Sequence, residues 1–582
     1  MKQFSRHSLA LAISLGLAAC QSLPAPEPME QSPQSSPQTE AQAEPEPIAY
    51  RNFTPDELSR TLLNELGGHR GHLLDATTDY VALAKETRDI AIIRRASQFA
   101  AALGDTNSLI ELSQIWTEEE PNSVEPHRTL AYQLIESGQF LAAIDELQKV
   151  LELGGRIDFS TIATQTEELD FQQRTALINR LSKLNQDLPI SRSLHYSLIQ
   201  LLEQNQQAEE AMAQLELYRD KYGPSARSTL IEAQLLLQME QPDEALAVLR
   251  SGIIDYPEHQ LMRFNYARVL VQTEDLVEAR KQFSELSEMA PDDFETMYSL
   301  ALLDLELGDT ATAKQLLTRI LSAGYRANDA HFYLAYIGEE EGDIDTAITH
   351  YQQVRTDSNN FINAQRQAIR LLVQSNRVTQ AHNWVLQVSN GNPRLQALLT
   401  TIEADTLAET GHTELAISVL SNAIEKYPSD LDLLFARAIL FEREGNMQAQ
   451  EADLNKIIEL DPRNARALNH LGYTLLISTQ RFEEALALIE RAIAVEPEDP
   501  AIIDSLGWAQ FKLGRYEQAL ANLERAYENF PDPEVAAHLG ETLWVLGRRE
   551  EAEALWRSSL SENPDSPVLL EVLERLLHGT GS

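Results

Sequence analysis

"AIIDSLGWAQFKLGRYEQALANLERAYENFP", Ala501–Pro531, decides how the rest of the chain is read. Its apolar residues recur at three and four, the spacing of an amphipathic helix, on both sides of Gly514. Leu506 and Gly507 fall midway along a first helix, where a residue without a side chain admits a second helix closely. Gly514 ends that helix in a turn that favours a positive φ. Ala519 then falls at the tight crossing of the second helix, and Leu523 and Ala526 continue its buried stripe. Pro531 stops this helix and opens the next segment. The stretch is therefore a helical hairpin, a unit that cannot cover its own apolar face without neighbours.

The neighbours are present at a fixed period. Alanine stands at 211, 245, 279, 313, 347 and 381, each 34 residues after the last, and Ala416 follows at 35. Proline stands at 257 and 291, and again at 428, 462, 497, 531 and 564, with spacings of 33 to 35. Glycines pair at 34 in Gly104 and Gly138, Gly308 and Gly342, and Gly411 and Gly445. Repeat length, residue type and phase match the tetratricopeptide repeat, a 34-residue helix–turn–helix. The expected fold is all-α, a tetratricopeptide-repeat superhelical solenoid whose core is a line rather than a ball.

Counting outward from these anchors places repeats over 192–566. The units are 192–225, 226–259, 260–293, 294–327, 328–361, 362–396, 397–430, 431–464, 465–499, 500–532 and 533–566. Residues 53–191 read as degenerate N-terminal repeats, with one clearer unit at 124–157 and a helical but poorly matched stretch at 158–191. "PVLLEVLERLLHG", Pro567–Gly579, reads as a capping helix within a C-terminal segment 567–582, covering the last apolar face of the stack.

The other end of the chain is different. Lys2 and Arg6 precede "SLALAISLGLAA", Ser8–Ala19, a positive segment followed by a short apolar one, which is the anatomy of a secretory signal over 1–19. That run is short of the ~20 residues a spanning helix needs. It leads to Cys20, the single cysteine of 582 residues. "LAAC", Leu17–Cys20, looks like a bacterial lipobox, in which the thiol accepts a diacylglyceryl group and the small residues before it admit the peptidase. An ordinary signal cut after "LAA" would leave the position of this one cysteine unexplained. Two or three acyl chains on one residue anchor stably where one does not. Gln21 in place of Asp resembles an outer-membrane address. Residues 20–52, with seven of the chain's 24 prolines, read as a disordered tether. Its reach is roughly 30 Å as a coil and about 100 Å at full extension.

Composition then excludes several functions. Asp and Glu number 89 against 47 Lys and Arg, a net charge of −42, so nucleic acid and anionic lipid surfaces would repel the chain. One cysteine leaves no disulfide framework and no CxxC site. The thirteen histidines are scattered, and the close pair His69 and His72 in "GGHRGH" reads as a solvated turn. Glu339, Glu340 and Glu341 lack the alternating ligand spacing of a calcium loop. No nucleophile elbow, dinucleotide fingerprint or phosphate loop occurs. The expectation is no enzyme, no metal, no cofactor beyond the covalent lipid on Cys20, and no small-molecule substrate.

A solenoid of this type offers a concave wall made by its first helices, with unit positions 2, 5, 9, 12 and 13 facing inward. In the last three units these positions include Tyr473, Trp508, Phe511 and Trp544. They are the candidate protein-binding residues, because exposed aromatics commonly anchor interfaces. The alternative is that they pack between neighbouring repeats.

Lipobox, proline-rich tether and a dozen or more repeats together resemble a group of proteobacterial outer-membrane lipoproteins. Leu471–Ala552 is similar to the C-terminal repeats of the lipoprotein that binds and activates a periplasmic carboxyl-terminal processing protease. The resemblance implies an adaptor, lipid-anchored at the outer membrane with its body in the periplasm. Its implied partners are a serine protease and that protease's substrates, hydrolases of peptidoglycan cross-links. Tethering both on one surface would raise their effective concentration. A non-catalytic assembly factor for polysaccharide export or outer-membrane protein insertion stays open, as does an enzyme-linked role with an unseen active site.

Overall fold

The computed structural model describes residues 53–166, 169–187 and 191–578. The signal, Cys20 and the tether lie outside the described residues. Among the described residues there are 31 α-helices in tandem and no strand. The chain divides into two compact units between Leu316 and Leu317, within the helix Thr310–Ser322. Each unit is a helical solenoid of consecutive hairpins.

The first unit begins with the hairpin Pro55–His69 and Leu73–Thr87, followed by Ile90–Leu103 and Thr106–Glu119, then Val124–Glu136 and Phe140–Glu152. It resumes a regular course at Arg192–Gln204 and Ala208–Tyr222, and continues through Gln260–Gln272 and Leu276–Met289 to Phe294–Glu306. The second unit runs from Ala327–Glu340 and Ile344–Gln353 to Pro533–Val545 and Arg549–Glu562, closed by Pro567–Leu573. Within each unit a first helix packs both on its own second helix and on the second helix of the hairpin before it.

Local chemistry explains the boundaries. Asp89, Asp293, Asp343, Asp430, Asn464, Asp499 and Asp532 accept hydrogen bonds from the first free N–H groups of the helices they precede. Pro500 and Pro533 occupy first-turn positions, where no N–H is needed. The turn inside most hairpins holds one left-handed residue. Positions 206, 240, 274, 308, 342 and 376, each 34 apart, all have φ between 57° and 82°. Only two of these six, Gly308 and Gly342, are glycine; Gln206, Glu240, Glu274 and Asn376 take the same conformation without its freedom.

Packing follows the alanine ladder. Ala211, Ala245, Ala279, Ala313, Ala347, Ala381 and Ala416 are each 0% exposed, at the points where paired helices cross. In later hairpins glycines on the first helix allow the same close approach. A Cβ on Gly507 would lie 2.6 Å from Leu523 Cγ, and one on Gly540 would overlap the indole of Trp556 and lie 2.8 Å from its Cδ1.

Three boundaries differ from the sequence reading. The stretch 158–191 has only the five-residue helix Ser160–Thr164 where a full first helix would stand. Arg174, on the following helix Phe171–Asp187, donates to the carbonyls of Thr166, Leu169 and Gln204. Those acceptors are met by a guanidinium, so the irregular loop is satisfied without helix. The unit placed at 397–430 begins earlier, at Pro393, because Asn392 accepts from the Leu395 N–H and Pro393 fits the first turn. The capping helix ends at Leu573 and continues as a π turn, Glu574–His578; Gly579 lies outside the described residues. Leu569 and Val572 of that cap are buried against the last hairpin.

Candidate binding surface

The four candidate aromatics occupy successive first helices, and each has acquired partners. Trp508, on Pro500–Lys512, is 6% exposed. Its ring stacks on His538 at 4.0 Å and 18°, and on Phe511 at 4.7 Å and 5°. The Lys512 ammonium sits 4.4 Å from its centroid, a cation–π contact. Trp508 is therefore not an exposed anchor but a packing residue between neighbouring first helices. The reason is visible on both sides of it. His538 Nδ1, on Pro533–Val545, lies 3.0 Å from both carboxylate oxygens of Asp504, one turn before Trp508. Both groups are buried, and the pair draws the two helices over the indole.

A second link crosses further. Tyr473, on Ala465–Ser478, donates its phenol hydrogen to the carboxylate of Glu534, two hairpins along. Burial and that hydrogen bond hold the Tyr473 phenol above its ordinary pKa. Tyr473 and Phe511 remain half-buried, as does Trp544. Trp544 packs 5.9 Å from the fully buried Trp556, with the Arg549 guanidinium 4.9 Å above its ring. The structure thus brings Trp508 and Phe511 together, places Tyr473 beside His538 at 6.2 Å, and leaves Trp544 in a separate contact with the second helix of its own hairpin.

Asp504, His538 and Glu534 are absent from the sequence-derived candidates. One signal was available: Asp504 and His538 stand 34 residues apart, one period, on facing first helices. Neighbouring hairpins extend the same strip. His470 lies 3.1 Å from Glu442 and 5.4 Å from the Phe435 ring, and Arg466 caps that ring at 3.7 Å.

Other polar groups tie the two helices of a hairpin together. His127 with Glu146, His195 with Gln214, Arg263 with Gln282, His331 with His350 and Gln365 with Trp384 are all 19 residues apart, at 2.5 to 3.1 Å. Their first members fall at multiples of 34 from His127. Asp304 is 0% exposed against the Arg280 guanidinium; burial raises its pKa, and Arg280 opposes that shift. His382, 3.1 Å from the fully buried Glu403, is raised by that hydrogen bond against the pull of burial. His69 and His72 are exposed. Among the described residues no three His, Cys, Asp or Glu side chains come together as metal ligands, and no helix is long and apolar enough to cross a membrane.

What the strip can do chemically is bind. It leaves the half-buried rings of Tyr473, Phe511 and Trp544 at the surface over the buried Trp508–His538–Asp504 contact. Comparison with known proteins agrees with this repeat architecture. The tetratricopeptide repeat family matches residues 236–303, 298–360, 403–465, 474–543 and 533–558. TPR repeat-containing protein PA4667 of Pseudomonas aeruginosa is 34% identical over 538 residues, covering 92% of this chain and 90% of that protein. Type IV pilus assembly protein PilF of the same organism is 30% identical over 139 residues, 23% of this chain and 55% of that one. Cellulose synthase operon protein C of Pseudomonas fluorescens is 22% identical over 392 residues, 56% of this chain and 30% of that one.

Proposed function

The chain belongs to the tetratricopeptide-repeat proteins, interaction scaffolds that are in general non-catalytic, and from that membership we propose a tethered adaptor. In this reading Cys20 carries the lipid, the anchor is in the outer membrane and the repeats face the periplasm. The repeats hold a carboxyl-terminal processing serine protease and bring it the hydrolases of peptidoglycan cross-links that it degrades. The observation that carries the reading is the tandem of hairpins within each unit, whose buried groups serve helix packing. Such a tandem can seat two partners at once, and tethering raises their effective concentration without new contacts. The likeness of Leu471–Ala552 to the repeats of a protease-activating lipoprotein supports the choice of partner.

A second reading, an assembly factor for export or insertion machinery, draws support from the partial matches to pilus-assembly and cellulose-synthase-operon proteins. Affinity capture of the lipidated chain from solubilised envelope separates the two. Recovery of a PDZ-containing serine protease, and faster hydrolase cleavage when the purified chain is added to it, is the expected result. Recovery of export, pilus or insertion components in its place favours the second reading. Peptide or peptidoglycan cleavage by the purified chain alone would defeat both.

A further inference from the structure

The first described helix, Pro55–His69, breaks the packing rule of its unit. Every later first helix of a regular hairpin in that unit packs on a second helix before it, whereas among the described residues this one has no helix before it and packs on Leu73–Thr87 and, through Glu65 and Gly68, on Ile90–Leu103. The uncovered side is apolar. Leu58, Leu62, Leu63 and Leu66 are 50% to 64% exposed, and Ser59 lies among them on the same face. Three of these leucines recur at intervals of four, so they form one stripe along the helix. The opposite side is fixed in place: Asn64 is buried, Arg60 bonds Asp79 at 2.7 Å, and Glu65 is paired with Arg95 at 2.6 Å.

We propose that this leucine face is the interface of a symmetric dimer, occupied by the same helix of a second copy running antiparallel. Two observations favour a second copy. The first is charge. The helix carries Asp56 and Glu57 in its first turn, and His69 and Arg70 at its last. With Leu62 on the two-fold axis, Leu58 of one copy meets Leu66 of the other. The acidic turn of each then faces the basic turn of its mate, and the patch is complementary to itself. The second is area. The four leucines expose roughly 450 Å² per copy, so pairing removes at most about 900 Å², the size of a weak, transient contact. The chain's own preceding segment is a poorer cover: residues 21–52 contain only Leu23, Met29, Ile48 and Tyr50 as large apolar residues.

A photo-reactive amino acid at Ser59 of the full chain, in the cells that make it, tests the contact directly. The expected adduct has twice the chain's mass, with the cross-link mapped inside residues 55–70 of both copies. Leu62→Arg with Leu66→Arg, both at exposed positions, should lower that adduct at least tenfold while leaving helix content by circular dichroism unchanged. Asp56→Arg should weaken it, and Asp56→Arg combined with Arg70→Asp should restore it. An adduct to a different protein, an adduct within one chain to residues 1–52, no adduct, or a homodimer adduct indifferent to the arginine pair would each overturn the assignment.

Discussion

Gly540→Ala is the sharpest test of the close helix approaches. The new methyl group would overlap Nε1 and Cε2 of Trp556, a side chain 0% exposed and therefore without room to swing away. Trp556 Nε1 has no hydrogen-bond partner, so moving the ring breaks none and the cost is steric alone. Overpacking of a rigid ring costs about 3 kcal/mol. Alanine recovers about 1 kcal/mol of helix propensity over glycine. The net loss is about 2 kcal/mol, which multiplies a local opening constant by roughly 30. Hydrogen exchange read by mass spectrometry should show that acceleration in Pro533–Val545, Arg549–Glu562 and Pro567–Leu573, the helices around Trp556. Gly507→Ala is the matched control. Its Cβ would lie 2.6 Å from Leu523 Cγ and 2.9 Å from its Cδ2, a smaller overlap with a smaller side chain than at Gly540, and its net loss should be smaller. Equal exchange in Gly540→Ala and wild type, or equal losses in both variants, would refute the argument that a rigid indole fills the space left by glycine. Trp556→Phe, which removes the overlapping pyrrole edge, should rescue part of the Gly540→Ala loss.

Trp508→Ala should destabilise Ala465–Val545 locally by about 3 kcal/mol, because a buried ring stacked on two others is removed; unchanged exchange there would restore Trp508 as a free binding residue. Glu274→Gly should stabilise its hairpin by about 1 kcal/mol, since φ of 62° strains a residue with a Cβ, and a thermal or urea midpoint that falls would argue against that strain. His382 has a folded pKa above its unfolded value, through its bond to Glu403. Its stabilising contribution is full below the unfolded pKa and is lost as pH rises through the folded one. The exchange difference between wild type and His382→Gln in Pro393–Glu409 should therefore be larger at pH 5.5 than at pH 8, and a difference that grows with pH would contradict the assignment.

The repeat itself was legible because its strictest positions tolerate few residue types. An alanine at a helix crossing cannot be enlarged without strain, so Ala211 to Ala416 keep the period in plain view. The turn was legible only where glycine marks it. Gln206, Glu240 and Glu274 adopt the same left-handed conformation, but nothing in their residue type announces it. At Trp508 the sequence left binding and packing open for a related reason. Position along a first helix tells which way a side chain points, not whether the next helix closes over it. That closure came from Asp504 and His538, two residues that look like ordinary surface polars until they are seen face to face. The short helix Ser160–Thr164 was illegible because Arg174, which meets the carbonyls of Thr166 and Leu169, lies beyond it in sequence.

The Tyr473–Glu534 bond joins hairpins that are not adjacent in the chain. A stack held only by nearest neighbours melts one hairpin at a time, from its ends or from its weakest joint. A strap over the middle hairpin adds a term that all three must satisfy together. Residues 465–562 should therefore open as one event rather than three, so a partner gripping any one of these hairpins would steady the other two.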